Sequence, residues 1–63
     1  MKTQEIIDNI EGNGSLDMIY IRRNARAEGT SVHNYIKSMV AGEFKCSTYV
    51  ANRVAEYYEN FKY

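Results

Sequence analysis

The chain has no proline, one cysteine, one histidine and four glycines in 63 residues, and its formal net charge is zero. Each scarcity excludes something. Cys46 has no partner for an internal disulfide, and Cys46 with His33 does not make a four-ligand zinc site. The glycines stand alone or as Gly12-Asn13-Gly14, with no following Lys-Ser/Thr, so no phosphate-cradling loop is expected. No apolar run is long enough to span a bilayer, and Met1-Lys2 is not followed by a signal-peptide core. A cytoplasmic location with Cys46 reduced, and no membrane partner, is the expectation. No carboxylate pair stands on an apolar face, and Ser, His and Cys form no base–nucleophile arrangement along the chain. A chain this short seldom closes a dry pocket. The expectation is therefore no enzyme, no catalytic residue, no cofactor and no metal.

The length allows one domain, residues 1–63, with one core. Such a chain buries only about 60% of its unfolded surface. Without a staple, added stability is expected from a homodimer. The charges are not evenly spread. Residues 1–17 hold Lys2 against Glu5, Asp8, Glu11 and Asp17. Residues 18–53 hold Arg22, Arg23, Arg26, Lys37, Lys45 and Arg53 against only Glu28 and Glu43. A basic middle between acidic ends suits a localised phosphate footprint, although solvated helix faces produce the same pattern.

What is present is helical periodicity. Thr3 can cap a first helix through about Glu11, with Ile6, Ile7 and Ile10 on one face and Glu5 favourably near the start. Glu11-Gly12-Asn13-Gly14 ends it. This short element, residues 1–14, either docks on the rest or swings as an acidic arm. Ser15 is the expected cap of a second helix, with Asp17 in its first turn. Leu16, Ile19 and Tyr20 make one apolar stripe there, and Ile21 and Ala25 an adjoining one. Met18–Ile21 also has strand character, but the helix formers from Arg22 to Glu28 and the stop at Gly29 favour helix. Arg22, Arg23 and Arg26 share a face, the densest positive patch in the chain, unless Asp17 or Glu28 pairs with one of them. After Thr30 or Ser31 as cap, Val32, Tyr35, Ile36, Met39 and Val40 define a third helix to about Glu43. His33 falls off that stripe and is expected to be exposed. A fourth helix follows from Thr48 to about Phe61, stepping through Val50, Val54, Tyr57 or Tyr58, and Phe61, with no proline or glycine after Gly42 to break it. The fold class expected is all-α, a small bundle of about four short helices with its helical core in residues 15–63.

Val40 to Val54 (V-A-G-E-F-K-C-S-T-Y-V-A-N-R-V) resembles a helix-turn-helix, which would occupy about residues 32–61. Val40, Ala41 and Phe44 close a first helix. Lys45-Cys46-Ser47 is short enough for a tight turn, in which Cys46 reads as a small apolar residue. Ser47 is a good N-cap, and Val50, Ala51 and Val54 face the same core. The sequence departs from the family where Lys45 replaces a frequent Gly, which asks for either a strained left-handed non-glycine residue or a different path through the turn. It departs again where Ala51 replaces Val or Ile, which would bring the helices closer and bury less. The resemblance implies a second helix in the DNA major groove. Ser47, Thr48, Tyr49, Asn52 and Arg53 would then contact bases, with Asn52 suited to adenine and Arg53 to guanine or phosphate. Arg22, Arg23, Arg26, Lys37 and Lys45 would be phosphate contacts. A plain helix-pair core without a DNA role has the same pattern. Gly29 to Val40 also resembles, more weakly, the second helix of ribbon-helix-helix repressors, through Gly29, Ser31, Ile36 and Lys37. That family needs a strand ahead of its first helix, which residues 1–14 do not supply.

Two functions therefore compete. One is a sequence-specific, dimeric transcriptional regulator of double-stranded DNA, of the small size typical of phage or mobile-element genes. The other is a small module that binds and blocks a host or partner protein. Its contact surface would be the acidic first segment or the aromatic end of the chain: Tyr57, Tyr58, Phe61 and Tyr63.

Overall fold

A computed structural model describes residues 2–62, with side chains through Asn60. Among the described residues the fold is all-α: α1 (Thr3–Gly12), α2 (Met18–Ala27), α3 (Val32–Phe44) and α4 (Thr48–Tyr57), followed by a π-helical turn, Tyr58–Lys62. No described residue is in a strand, so Met18–Ile21 is helical and the ribbon of the weaker resemblance is not there. No helix among the described residues is long and apolar enough to cross a membrane.

The punctuation of the chain explains these boundaries. α1 and α2 end the same way. After α1, Ser15 N–H reaches Ile10 O (2.9 Å) and Gly14 N–H reaches Glu11 O (3.2 Å). After α2, Thr30 N–H reaches Ala25 O (2.9 Å) and Gly29 N–H reaches Arg26 O (3.1 Å). Both are the paired bonds that close a helix on a left-handed residue. Glycine supplies that residue at no steric cost, with φ 104° at Gly14 and 71° at Gly29. Ser31 Oγ accepts from Asn34 N–H to open α3, and Ser47 Oγ accepts from Val50 N–H to open α4. α3 ends on Lys45, at φ 52° and ψ 40°. The left-handed cost that the missing glycine implied is therefore taken by a lysine.

Two caps differ from expectation. Thr3 is the first helical residue of α1 rather than its cap, and Glu5 Oε1 accepts the Lys2 N–H. Ser15 has φ 67°, whereas an N-cap needs extended backbone, so Asp17 caps α2 instead. Its Oδ1 accepts from Ile19 N–H and Tyr20 N–H, both at 3.1 Å.

The core takes Ile6, Ile7 and Ile10 from α1, Ile21 and Ala25 from α2, and Ile36 and Val40 from α3. Ala51, Val54 and Ala55 of α4 complete it with Tyr58. α4 is its centre, packed on α1 and most extensively on α3, while α2 covers α3. The fully buried Ala51 and Ala55 let α4 lie close to its neighbours. Of the two apolar stripes expected on α2, the one through Ile21 and Ala25 is buried, and of the other only Leu16 packs against the core. Ile19 is 68% and Tyr20 59% exposed, so these two face solvent. α1 is docked rather than a free acidic arm. Its three isoleucines are buried, and the radius of gyration of 10.7 Å matches the roughly 10.6 Å of a compact chain of this length.

The aromatic end of the chain is divided. Tyr58 has no exposed surface, because it continues the Ala51–Val54–Ala55 stripe at helical spacing. It is therefore not part of an outward aromatic contact. Its hydroxyl donates to Glu11 Oε2 at 2.6 Å, and the same oxygen accepts from Ser15 Oγ at 2.6 Å. Tyr57 is half-buried, its ring set edge-on to Tyr58 at 5.1 Å. Past Tyr58 the wider π turn takes the chain out of the 3.6-residue register of α4. The Phe61 side chain and Tyr63 lie outside the described residues.

Candidate nucleic-acid interface

α4 is amphipathic, and its buried stripe decides which residues face out. With Ala51, Val54 and Ala55 inward, Tyr49 and Arg53 are exposed on the opposite side, and Thr48, three residues before Ala51, is exposed at the open N-terminal end of the helix, next to the exposed turn residues Lys45 and Ser47. Tyr49 is 67% exposed. Arg53 is one helical turn further on. Its guanidinium carbon lies 6.0 Å from the Tyr49 ring centroid, and Nη1 donates to Tyr49 Oη at 3.3 Å. The distance is at the outer limit of a cation–π contact, so the pair braces the arginine without burying it. Ser47 spends one acceptor site on the cap. Glu56 stands on the same side of α4, one turn past Asn52, so the exposed face is basic at its N-terminal end and acidic beyond.

Asn52 differs from the other residues expected on this face. It is half-buried, and both ends of its amide have partners. Nδ2 donates to Glu56 Oε1 at 3.1 Å, and Oδ1 lies 2.7 Å from His33 Nε2. His33 is accordingly not the exposed side chain expected from its place off the α3 stripe. It is half-buried against α4, with Nδ1 3.8 Å from Glu59 Oε2. No local signal announces this contact, since the pair is 19 residues apart and meets only when α3 packs on α4.

The expected phosphate contacts fall on three elements. Lys45 is exposed in the turn, directly before the α4 cap. Lys37 is half-buried on α3. Arg22, Arg23 and Arg26 are exposed on α2, which packs on α3. Arg22 Nε also donates to Met18 O at 3.3 Å. Tyr57 lines a groove with Thr3, Gln4, Ile7 and Arg53 between α1 and α4, rather than an open aromatic face. Cys46 packs against the core, with Sγ 3.9 Å from Val40 O. No cluster of three or more His, Cys, Asp or Glu side chains suited to a metal occurs among the described residues.

Compared with known proteins, the chain matches no family model, no curated protein and no solved structure.

Proposed function

We propose that the protein is a sequence-specific DNA-binding regulator that lays the first turns of α4 in the major groove. The observation that carries this reading is the α3–turn–α4 pair. A three-residue connection, Lys45–Ser47, joins two closely packed helices, and the second presents Thr48, Tyr49 and Arg53 outward from a capped N-terminus. A helix whose N-terminal residues are polar, exposed and held by a rigid neighbour is the geometry that base reading requires. Arg53 reaches guanine or a phosphate, Asn52 reads adenine, and Ser47, Thr48 and Tyr49 supply shorter contacts. Lys45, with Lys37 and the α2 arginines Arg22, Arg23 and Arg26, adds phosphate contacts that set register.

The test is site selection from a randomised duplex library by the wild-type protein and by a Thr48→Ala/Arg53→Ala variant. Both side chains are exposed, so the variant should keep its helical signal and melting temperature and lose the preferred site. An intact fold with an unchanged site would remove α4 from the interface.

A second reading has one observation in its favour. Ile19 and Tyr20 are large, exposed and adjacent on α2, and exposed apolar residues rimmed by arginine are typical of protein contacts. This favours α2, rather than the C-terminal aromatics or α1, as the surface for a second copy or a partner protein. Sedimentation at rising concentration, with Ile19→Ser/Tyr20→Ser as control, tests self-association: a wild-type dimer lost in the variant supports it, and a monomer throughout excludes a homodimer.

A further inference from the structure

An Asn side chain offers two N–H donors and two acceptor lone pairs, and its oxygen and nitrogen ends exchange by a rotation about a broad torsion. At Asn52 that freedom is removed from both sides. Glu56 Oε1, at 3.1 Å, is a carboxylate oxygen that can only accept, so the amide nitrogen must face it. The amide oxygen then faces His33 Nε2 at 2.7 Å. An amide oxygen can only accept, so the imidazole proton sits on Nε2 and donates to Asn52 Oδ1. Glu59 Oε2, at 3.8 Å from Nδ1, is beyond hydrogen-bond length. The clamp bridges two elements: His33 lies in the first turn of α3, and Asn52 and Glu56 are one turn apart on α4.

The clamp uses one donor and one acceptor of Asn52 and leaves one of each. They sit in a fixed sense at the tip of a half-buried side chain, beside the exposed Thr48 and Tyr49. One donor next to one acceptor complements the major-groove edge of adenine, which offers an acceptor at N7 and a donor at N6. Guanine offers two acceptors and matches less well. We propose that His33 and Glu56 are positioning residues that fix the sense of the Asn52 amide and thereby make it an adenine reader. The role rests on the DNA-binding reading of α4 given above. Neither residue needs to touch the DNA. Their effect is on discrimination at one base pair, because a flippable amide can also offer its donors to guanine.

The experiment uses the full chain and the duplex that wild-type protein selects from a random library. The base pair read by Asn52 is the one whose preference disappears in Asn52→Ala. Wild-type protein should prefer A·T there on the order of 10-fold or more over G·C by anisotropy titration. His33→Ala should reduce that preference to near onefold and leave the preferences at other positions unchanged. His33→Gln, which keeps a side-chain N–H donor, should restore most of it. Nitrogen-detected spectra of the free protein should place the His33 proton on Nε2. Should His33→Ala not fold, Glu56→Ala removes the other half of the clamp and should give the same loss. A folded His33→Ala or Glu56→Ala protein that keeps its adenine preference overturns the proposal alone, as does an imidazole without a proton on Nε2. A wild-type protein that selects no site overturns the DNA reading and this proposal with it.

Discussion

Tyr58 joins the last described helix to the first. Its ring fills the core without exposed surface, and its hydroxyl donates to Glu11 at 2.6 Å. Tyr58→Phe keeps the ring and loses a hydrogen bond to a carboxylate, which costs about 1.5–3 kcal/mol. The lower end applies, because Glu11 retains Ser15 as a donor. At about 4–8 °C per kcal/mol for a domain this small, calorimetry should show melting lowered by roughly 6–12 °C. Tyr58→Ala also empties the site and should cost about 3–5 kcal/mol. Burial, and then the neighbouring Glu11 carboxylate, push the Tyr58 hydroxyl above its ordinary value of 10.0, beyond the usual tyrosine range. The folded state thus holds a proton that the unfolded state releases above about pH 10. Stability from this group is full below that pH and is lost as pH rises toward the folded value. Denaturant titrations from pH 9 to 11 should show wild-type stability falling more steeply than that of Tyr58→Phe. The residues alone left Tyr57 and Tyr58 as alternatives for the core and gave no sign of the bond to Glu11. Tyr57 and Tyr58 are equivalent in a sequence window, and only the direction of the Ala51–Val54–Ala55 stripe separates them.

At the level of the helices, the turn between α3 and α4 holds a strained lysine. Lys45 is left-handed, which costs a residue with a Cβ about 1–2 kcal/mol. Glycine removes that cost and returns about 0.4–1 kcal/mol through a freer unfolded chain. Lys45→Gly should therefore be more stable, by about 0.5 kcal/mol, and should bind DNA more weakly for want of a phosphate contact. Stability and affinity moving in opposite directions would mark Lys45 as kept for its charge. Ser47→Ala removes the α4 cap and should cost about 1 kcal/mol, measurable by urea unfolding. The helices were readable because each apolar stripe is bounded by a serine cap or a glycine: Ile6-Ile7-Ile10 before Gly14, and Ile36 and Val40 after Ser31. The buried face of α2 was left open because two apolar stripes adjoin there. Periodicity marks both as candidates, and only the position of α3 sends Ile21 and Ala25 inward and leaves Ile19 and Tyr20 out. Ser15 was expected to cap α2, with Asp17 in its first turn; the positive φ at Ser15 that follows from closing α1 on Gly14 passes the cap to Asp17.

Across the whole molecule, a zero net charge conceals separated charge. α1 carries Glu5, Asp8 and Glu11, while α2 carries three arginines and no acid. Of the face expected to meet DNA, the exposed pair Tyr49 and Arg53 followed from helical spacing alone, whereas Thr48 is exposed only because it opens the helix. The engagement of Asn52 by His33 and Glu56 did not, because it depends on how two helices pack. The DNA role proposed for α4 is tested most directly by anisotropy titration against duplex DNA, from low to near-physiological salt, for wild-type protein and Arg53→Ala. Each phosphate contact contributes a slope of about −0.9 in log affinity against log salt. Wild-type binding should weaken steeply with salt, and Arg53→Ala, if Arg53 meets a phosphate, should flatten the slope by about one contact. No binding at the lowest salt, or a folded Arg53→Ala protein that binds as tightly and as specifically as wild type, would contradict a DNA-reading α4.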